Sequence, residues 1–238
     1  MAQSDSSTLT TLTTLPALDE IRPPTVTDQV YEALYERVVD LTLPPGAKLS
    51  EAEVAAQMGV SRQPVRDAFY RLSQLGFIQI RPQRATVVTP ISEEAIRQAK
   101  FIRLSLELSC IREAVQRLTE PQLDALAVLL DRQQAAADAD RRSEFHALDD
   151  QFHHDIASHS GLGFVWAVVK DKKGHMDRAR YLSLGYNAGT ALAEHRVILQ
   201  ALRARDSAAA LAAMTAHLSR IDQLLARLRS ERPEVLGA

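Results

Sequence analysis

The chain has 238 residues, 46% hydrophobic and 24% charged, with a formal net charge of -2, and its one cysteine, Cys110, allows no internal disulfide. That composition excludes disordered, collagenous and disulfide-stapled classes, and a near-neutral charge argues against coating polyanions throughout while leaving room for a basic surface on one domain. No run approaches the roughly 20 apolar residues of a membrane span, and the first residues lack the basic start and apolar run of a secretory signal, so the expected location is the cytoplasm, with no membrane partner.

Residues 1–24 are rich in Ser and Thr and carry Pro16, Pro23 and Pro24, which reads as a mobile tail. From Thr27, the apolar positions Val30, Leu34, Val38 and Leu41 recur at helical spacing until Leu43-Pro44-Pro45-Gly46 stops them. Ser50 with Glu53 forms a capping-box pattern for a short helix that buries Val54, Ala55 and Met58 and ends at Gly59. Ser61 is expected to cap a third helix from Arg62, which tolerates Pro64 in its first turn and stops at Gly76. Residues 77–80 and 86–89 then read as two strands around the basic turn Arg81-Pro82-Gln83-Arg84-Ala85. Three helices and a hairpin make a winged helix-turn-helix over residues 25–90. From 91 to 230 the pattern is an all-α antiparallel helical bundle, so the fold class is mainly α. Its helices are expected at 92–118, 120–138, 141–159, 162–182, 190–204 and 206–229, capped at Ser92, Thr119 and Asp206, with a break from Gly185 to Gly189. Residues 231–238 are expected to form a second mobile tail.

In a helix-turn-helix the N-terminal end of the third helix enters the major groove. Here that end reads Val60-Ser61-Arg62-Gln63-Pro64-Val65-Arg66. Arg62 and Arg66 are four apart and share a face, where a guanidinium can grip guanine O6 and N7 or a phosphate pair, and Ser61 and Gln63 add shorter hydrogen bonds. Arg81 and Arg84 in the turn are placed for an adjacent groove or phosphate. Isolated arginine pairs more often just solvate a helix face. Turn, cap, paired arginines and basic hairpin together favour double-stranded DNA as the partner.

The same residues carry a resemblance. Leu49-Ser50-Glu51, the stretch from Val60 to Ala68, Arg71-Leu72 and Leu75-Gly76 resemble the N-terminal domain of GntR-type transcription regulators. The remainder is similar to the all-helical FCD effector domain of their FadR-like branch, so the resemblance spans roughly residues 25–229. It implies that Ser61, Arg62, Gln63 and Arg66 read operator DNA, with the wing turn at Arg84 and Ala85 nearby. Two departures stand out: the family usually has Gly at the position of Ala85, where a side chain restricts the turn, and Ala52 lacks the charge that fatty-acid-responsive members often carry there.

In the helical part, His146, His153, His154 and His159 crowd one predicted helix, while His195 and His217 stand on later ones. Asp149 with His153, and Asp150 with His154, have the four-residue spacing that lets both side chains hold one ion. At about 100° per residue, Phe145, Leu148, Phe152 and Ile156 form the apolar stripe, with Asp149 and His153 on its flank and Asp150 and His154 turned towards water. His195 falls within the stripe of its helix and His217 borders another. A lone inward His is more often a hydrogen-bonded core residue than a ligand, but three with an inward Asp are harder to bury without a cation. The resemblance implies the same four, because many FCD domains carry an Asp-x-x-Phe-His segment, a Glu-His pair and a late His. These match Asp149 to His153, Glu194-His195 and His217. Three imidazoles and a carboxylate suit Zn, Ni or Mn.

Arg103 lies four residues before Glu107 and resembles the arginine that often faces the ligand in the family's first effector-domain helix. Its alternative is a simple Arg-Glu helix pair. Arg178, Arg180, Tyr181 and Asn187 are further candidates for the effector pocket. The expected function is therefore a DNA-binding transcription regulator, a homodimer on a palindromic operator, controlled by a small effector, best a carboxylate, in a metal-containing helical domain. The rivals are a metal-dependent hydrolytic enzyme using Asp149, His153, His195 and His217, which leaves the N-terminal domain idle, and a constitutive DNA-binding protein whose helical domain only dimerises.

Overall fold

A computed structural model describes residues 23–81 and 85–237, with backbone alone at 184–186. The N-terminal part runs α1 (Val26–Val39), β1 (Lys48–Leu49), α2 (Glu51–Met58), α3 (Arg62–Gln74), β2 (Ile78–Gln79) and β3 (Thr86–Val88). Thr25 opens α1 by accepting from the Asp28 amide, and Ser50 opens α2 by accepting from the Glu53 amide. Gly59 closes α2 at φ 66, a left-handed conformation that Gly adopts without Cβ strain, and so turns the chain into α3. Ser61 makes no side-chain cap to α3, so its hydroxyl stays available at an exposed helix end, contrary to the expected capping role. Val30, Leu34, Val38, Val65, Phe69, Leu72, Phe77 and Val88 close one core.

The sheet has three strands in the order β1-β3-β2, all antiparallel, with Lys48 opposite Val87 and Ile78 opposite Val88. The two expected strands are present but shorter. β1 was not foreseen, because two residues of mixed burial carry no alternation that marks a strand.

The helical part comprises α4 (Glu93–Arg117), α5 (Glu120–Asp138), α6 (Arg142–His159), α7 (Phe164–Lys172), α8 (Gly174–Arg203), α9 (Ser207–Ser219) and α10 (Ile221–Glu231). Ser92 and Asp206 accept from the amides of Ala95 and Ala209 at the starts of α4 and α9. Two expected boundaries moved. The chain breaks at Lys173 and Gly174, and α8 runs unbroken through Gly185 and Gly189 for 30 residues. A helical Gly costs only about 1 kcal/mol against Ala, which packing at both ends of α8 outweighs. Gly174 has a stricter role, since a Cβ there would collide with the Phe77 ring and crowd the Tyr35 hydroxyl. The expected last helix is divided into α9 and α10 at Arg220.

Residues 231–237, expected as a tail, are instead held in place. Pro233–Val235 form a 3-10 turn, Ile91 donates its amide to the Val235 carbonyl at 2.8 Å, and Gly237 donates back to the Ile91 carbonyl at 3.0 Å. Ile91, Ile96, Met176, Leu225 and Val235 form a small core there, where α10 and the chain end pack against α4 and α8. Among the described residues no helix is long and apolar enough to cross a membrane.

Candidate functional site

Four side chains from three helices converge inside the bundle: Asp149 and His153 from α6, His195 from α8 and His217 from α9, all buried. The His153 and His217 Nε2 atoms are 3.2 Å apart, those of His195 and His217 are 3.3 Å apart, and His195 Nε2 is 3.5 Å from Asp149 Oδ1. Ligand atoms about 2.0–2.1 Å from one ion in tetrahedral array stand about 3.3 Å from each other, so the spacing fits a divalent ion.

The other face of each ring decides its protonation. His195 Nδ1 lies 3.0 Å from Gln133 Oε1, His217 Nδ1 lies 3.0 Å from Glu194 Oε2, and His153 Nδ1 lies 2.7 Å from Glu107 Oε2. Amide and carboxylate oxygens only accept, so each Nδ1 carries the proton, although the contact of His153 with Glu107 is not aligned as a hydrogen bond, and each Nε2 presents a lone pair to its neighbours. Burial, and then the neighbouring His217, push His195 well below the ordinary imidazole value, and burial also lowers His217. Burial opposes ionisation of Asp149, but the Arg180 guanidinium outweighs it and holds the carboxyl well below its usual range. Among the described residues neither Asp149 oxygen has an aligned hydrogen bond, and its counter-charge is Arg180, whose Nη2 is 2.5 Å from Oδ2. Three lone pairs and a carboxylate facing one point are satisfied by a cation.

A cavity of about 70 Å³ opens beside His217, lined by Arg103, Arg180, Asn187, Glu194 and Arg220 on its polar side and by Phe145, Met176 and Leu218 on its apolar side. Arg103 both lines it and pairs with Glu107, Nε to Oε1 at 2.5 Å. Asn187 lines the cavity. Arg178 does not: its guanidinium donates to the Thr89 carbonyl at 2.7 Å and the Pro90 carbonyl at 3.3 Å, at the junction of the two domains. Two residues along a helix turn about 200°, so Arg180 faces the cavity where Arg178 faces the linker. Asp150, expected in water, is only 28% exposed and pairs with Lys173 Nζ at 2.8 Å. Sequence reasoning passed over Glu107, Gln133 and Glu194 as supports of the imidazoles. Their one signal is the i,i+4 or adjacent spacing of Glu107 and Glu194 to residues already singled out, and Gln133 has none.

On the N-terminal domain Ser61, Arg62, Gln63 and Arg66 are all exposed. Gln63 donates to Asp67 Oδ1 at 2.8 Å, and Arg66 donates to Glu51 Oε2 at 3.2–3.3 Å while staying 61% exposed. Tyr70, 61% exposed, lies between Arg66 and Gln63 in angle around α3, opposite Val65, Ala68 and Leu72. Arg84 lies outside the described residues. Arg81 folds back on Gln79 Oε1, its Nε at 2.9 Å, and Ala85 is exposed.

A winged helix-turn-helix joined to a helical bundle with a buried polar centre defines a two-domain DNA-binding regulator. Residues 26–88 match the gntR family of bacterial regulatory proteins, and residues 100–220 match the FCD domain. The chain belongs to the gntR family of transcriptional regulators, in its FCD-containing form. It is 36% identical over 211 residues to the HTH-type transcriptional repressor RspR of Escherichia coli K12, covering 88% of this chain and 92% of RspR. It is 38% identical over 210 residues to an HTH-type transcriptional regulator in an unstable DNA locus of Streptomyces ambofaciens, covering 87% and 88% of the two chains. The fold is shared with E. coli McbR/YncC at a TM-score of 0.72 and 23% identity, covering 85% of this chain and 98% of that one.

Proposed function

We propose that this transcriptional regulator holds a divalent metal, Zn, Ni or Mn, through Asp149, His153, His195 and His217, and that a small carboxylate effector binds beside it to control operator affinity. The observation that carries the reading is the convergence of three lone-pair-bearing Nε2 atoms on the Asp149 carboxylate. A bound ion supplies a Lewis-acid centre for an effector oxygen. Arg103, Arg180 and Arg220, now paired with Glu107, Asp149 and Glu194, offer guanidinium groups that an anion can share, and Asn187 adds a hydrogen-bonding group.

The exposed face of α3 reads the operator: Arg62 and Arg66 reach base edges or phosphates, Ser61, Gln63 and Tyr70 extend the contact, and Arg84 in the wing reaches the adjacent backbone. A homodimer, joined through residues 91–230, repeats this face on a palindromic site, and exposed apolar side chains such as Phe101 and Phe164 supply surface for association. DNA as partner places the protein in the cytoplasm.

The test combines metal analysis of the purified protein with operator titrations at fixed salt. Stoichiometric metal that His195→Ala loses, and an operator affinity that a retained or added carboxylate shifts, support the reading. Arg62→Ala and Arg66→Ala should each cost about 1–3 kcal/mol of operator binding with metal content unchanged. A protein that neither contains nor takes up metal overturns the metal part, and unchanged affinity in both arginine variants overturns the placement of α3.

A further inference from the structure

We propose that Arg180 ties metal occupancy to the seat of the DNA-binding domain by being shared between two buried carboxylates, only one of which belongs to the metal centre. This rests on the metal reading above and assigns its route to the winged helix-turn-helix.

The first turns of α8 form that seat. Gly174 lies against Phe77 and Tyr35, the His175 ring stacks on Phe77 at 4.8 Å and accepts the Ser92 amide at 3.1 Å, and Arg178 binds the linker carbonyls of Thr89 and Pro90. Asp177, in the same turns, is buried. It is held by Lys173, which also pairs with Asp150, and its Oδ1 faces His146 Nε2 at 3.3 Å. These groups line a cleft of about 460 Å³ whose other wall is α1 and the residue that ends it, with Tyr35 and Asp40. Domain seam and charge cluster are thus one structure.

Arg180 stands between this cluster and the metal centre. Its Nη2 is 2.5 Å from Asp149 Oδ2, while its Nη1 is 3.7 Å from Asp177 Oδ1. That distance is too long for a hydrogen bond, and among the described residues neither Nη1 nor Asp177 Oδ1 has an aligned hydrogen bond, although Oδ1 faces His146 Nε2 at 3.3 Å. Without an ion, Arg180 is the principal counter-charge of Asp149 and is drawn to that side. An ion bound by the three imidazoles and Asp149 answers the same carboxylate, and its positive charge repels the guanidinium. The attraction of Asp177 then prevails, Nη1 closes on Oδ1, and two buried groups that had no aligned hydrogen bond gain one at the seam. Metal binding therefore stiffens the seat of α8 on the N-terminal domain.

Hydrogen exchange of the full-length protein tests this, comparing chelator-treated and Zn²⁺-loaded samples. In the unmodified chain Zn²⁺ should slow exchange several-fold at the amides of Ile91 and Ser92 and in α1. In Asp177→Asn, Zn²⁺ should still bind at Asp149, His153, His195 and His217, more weakly because the coupling is reciprocal, yet leave those amides unprotected. His195→Ala should lose the protection as well, which separates this centre from the group of His146, Asp150 and Asp177 that could also take an ion. Should Asp177→Asn fail to fold, Arg180→Lys serves: one ammonium cannot span both carboxylates, so Zn²⁺ binds without seam protection. Equal protection in a folded variant, or Zn²⁺ binding to the unmodified chain without any seam protection, overturns the proposal and leaves the metal centre standing. No Zn²⁺ binding to the unmodified chain overturns the metal reading and this proposal with it.

Discussion

The proposed metal centre and the proposed DNA-reading face use the same kinds of polar group under opposite rules. His153, His195 and His217 are buried, and each ring is fixed by a partner behind it, whereas Arg62, Gln63 and Arg66 are exposed and held, where held at all, by single surface contacts. A buried polar group that loses its partner costs about 1–3 kcal/mol, and a surface ion pair is worth about 0–1 kcal/mol. The centre is therefore organised before its ligand arrives. The reading face stays adjustable, because water satisfies it until DNA does.

The strongest way to break this contrast is to fill the centre. Divalent metal at about a thousand times its dissociation constant should raise stability by about 4 kcal/mol, read as a calorimetric shift of Tm that His195→Ala abolishes. A metal-insensitive Tm would mean the rings are packed for each other rather than for an ion.

Acid should sharpen the contrast at a buried histidine that holds no ion. Burial first, and then Arg178, lower His175 from 6.5 to about 4. Its Nδ1 already accepts the Ser92 amide, so a proton there would face another N–H. The unfolded chain takes up this proton at higher pH than the folded one, so the contribution is complete above pH 6.5 and is lost as the pH falls towards 4. It amounts to about 3 kcal/mol, measured as the excess pH slope of denaturant stability over His175→Phe.

Removing one support behind a ring should cost less. Glu194→Ala leaves the His217 ring in place but no longer holds its proton on Nδ1, so the Nε2 lone pair is present only part of the time, and metal affinity should fall about 10–100-fold, measured by competition with a chelator. At the other extreme, Glu51→Gln removes the partner of an exposed arginine. Operator affinity should change by no more than about 1 kcal/mol, and stability by less still. A large loss in this last variant would show that Arg66 is preorganised after all.

The three N-terminal helices could be read from the sequence because each carries local signals: Ser50 as a cap, Gly59 as a left-handed stop, and an apolar stripe through Val65 and Leu72. Asp149 and His153 share one helix face by spacing alone, so their inward orientation was legible too. The gathering of His195 and His217 onto them depends on how α8 and α9 pack, which no local period encodes: the apolar stripes turned both rings inward and made a shared cation plausible, and the family resemblance strengthened that reading. Gly185 and Gly189 misled because local helix cost was weighed without the contacts that hold α8 straight. Arg178 and Arg180 could not be told apart for a related reason: with the start of α8 misplaced, the angular position of everything after it was undetermined.

The continuity of α8 sets a limit on how this molecule can vary. Over 30 residues it extends about 45 Å, with Gly174 against Phe77 near one end and His195 in the buried polar centre towards the other. One residue inserted between them would rotate the two ends about 100° relative to each other, so that either the glycine or the imidazole must face the wrong way. Loops elsewhere in the chain can lengthen without such a penalty. Along this segment substitutions are tolerable and changes of length are not, so relatives that keep both contacts must conserve the residue count between them even where they conserve little else.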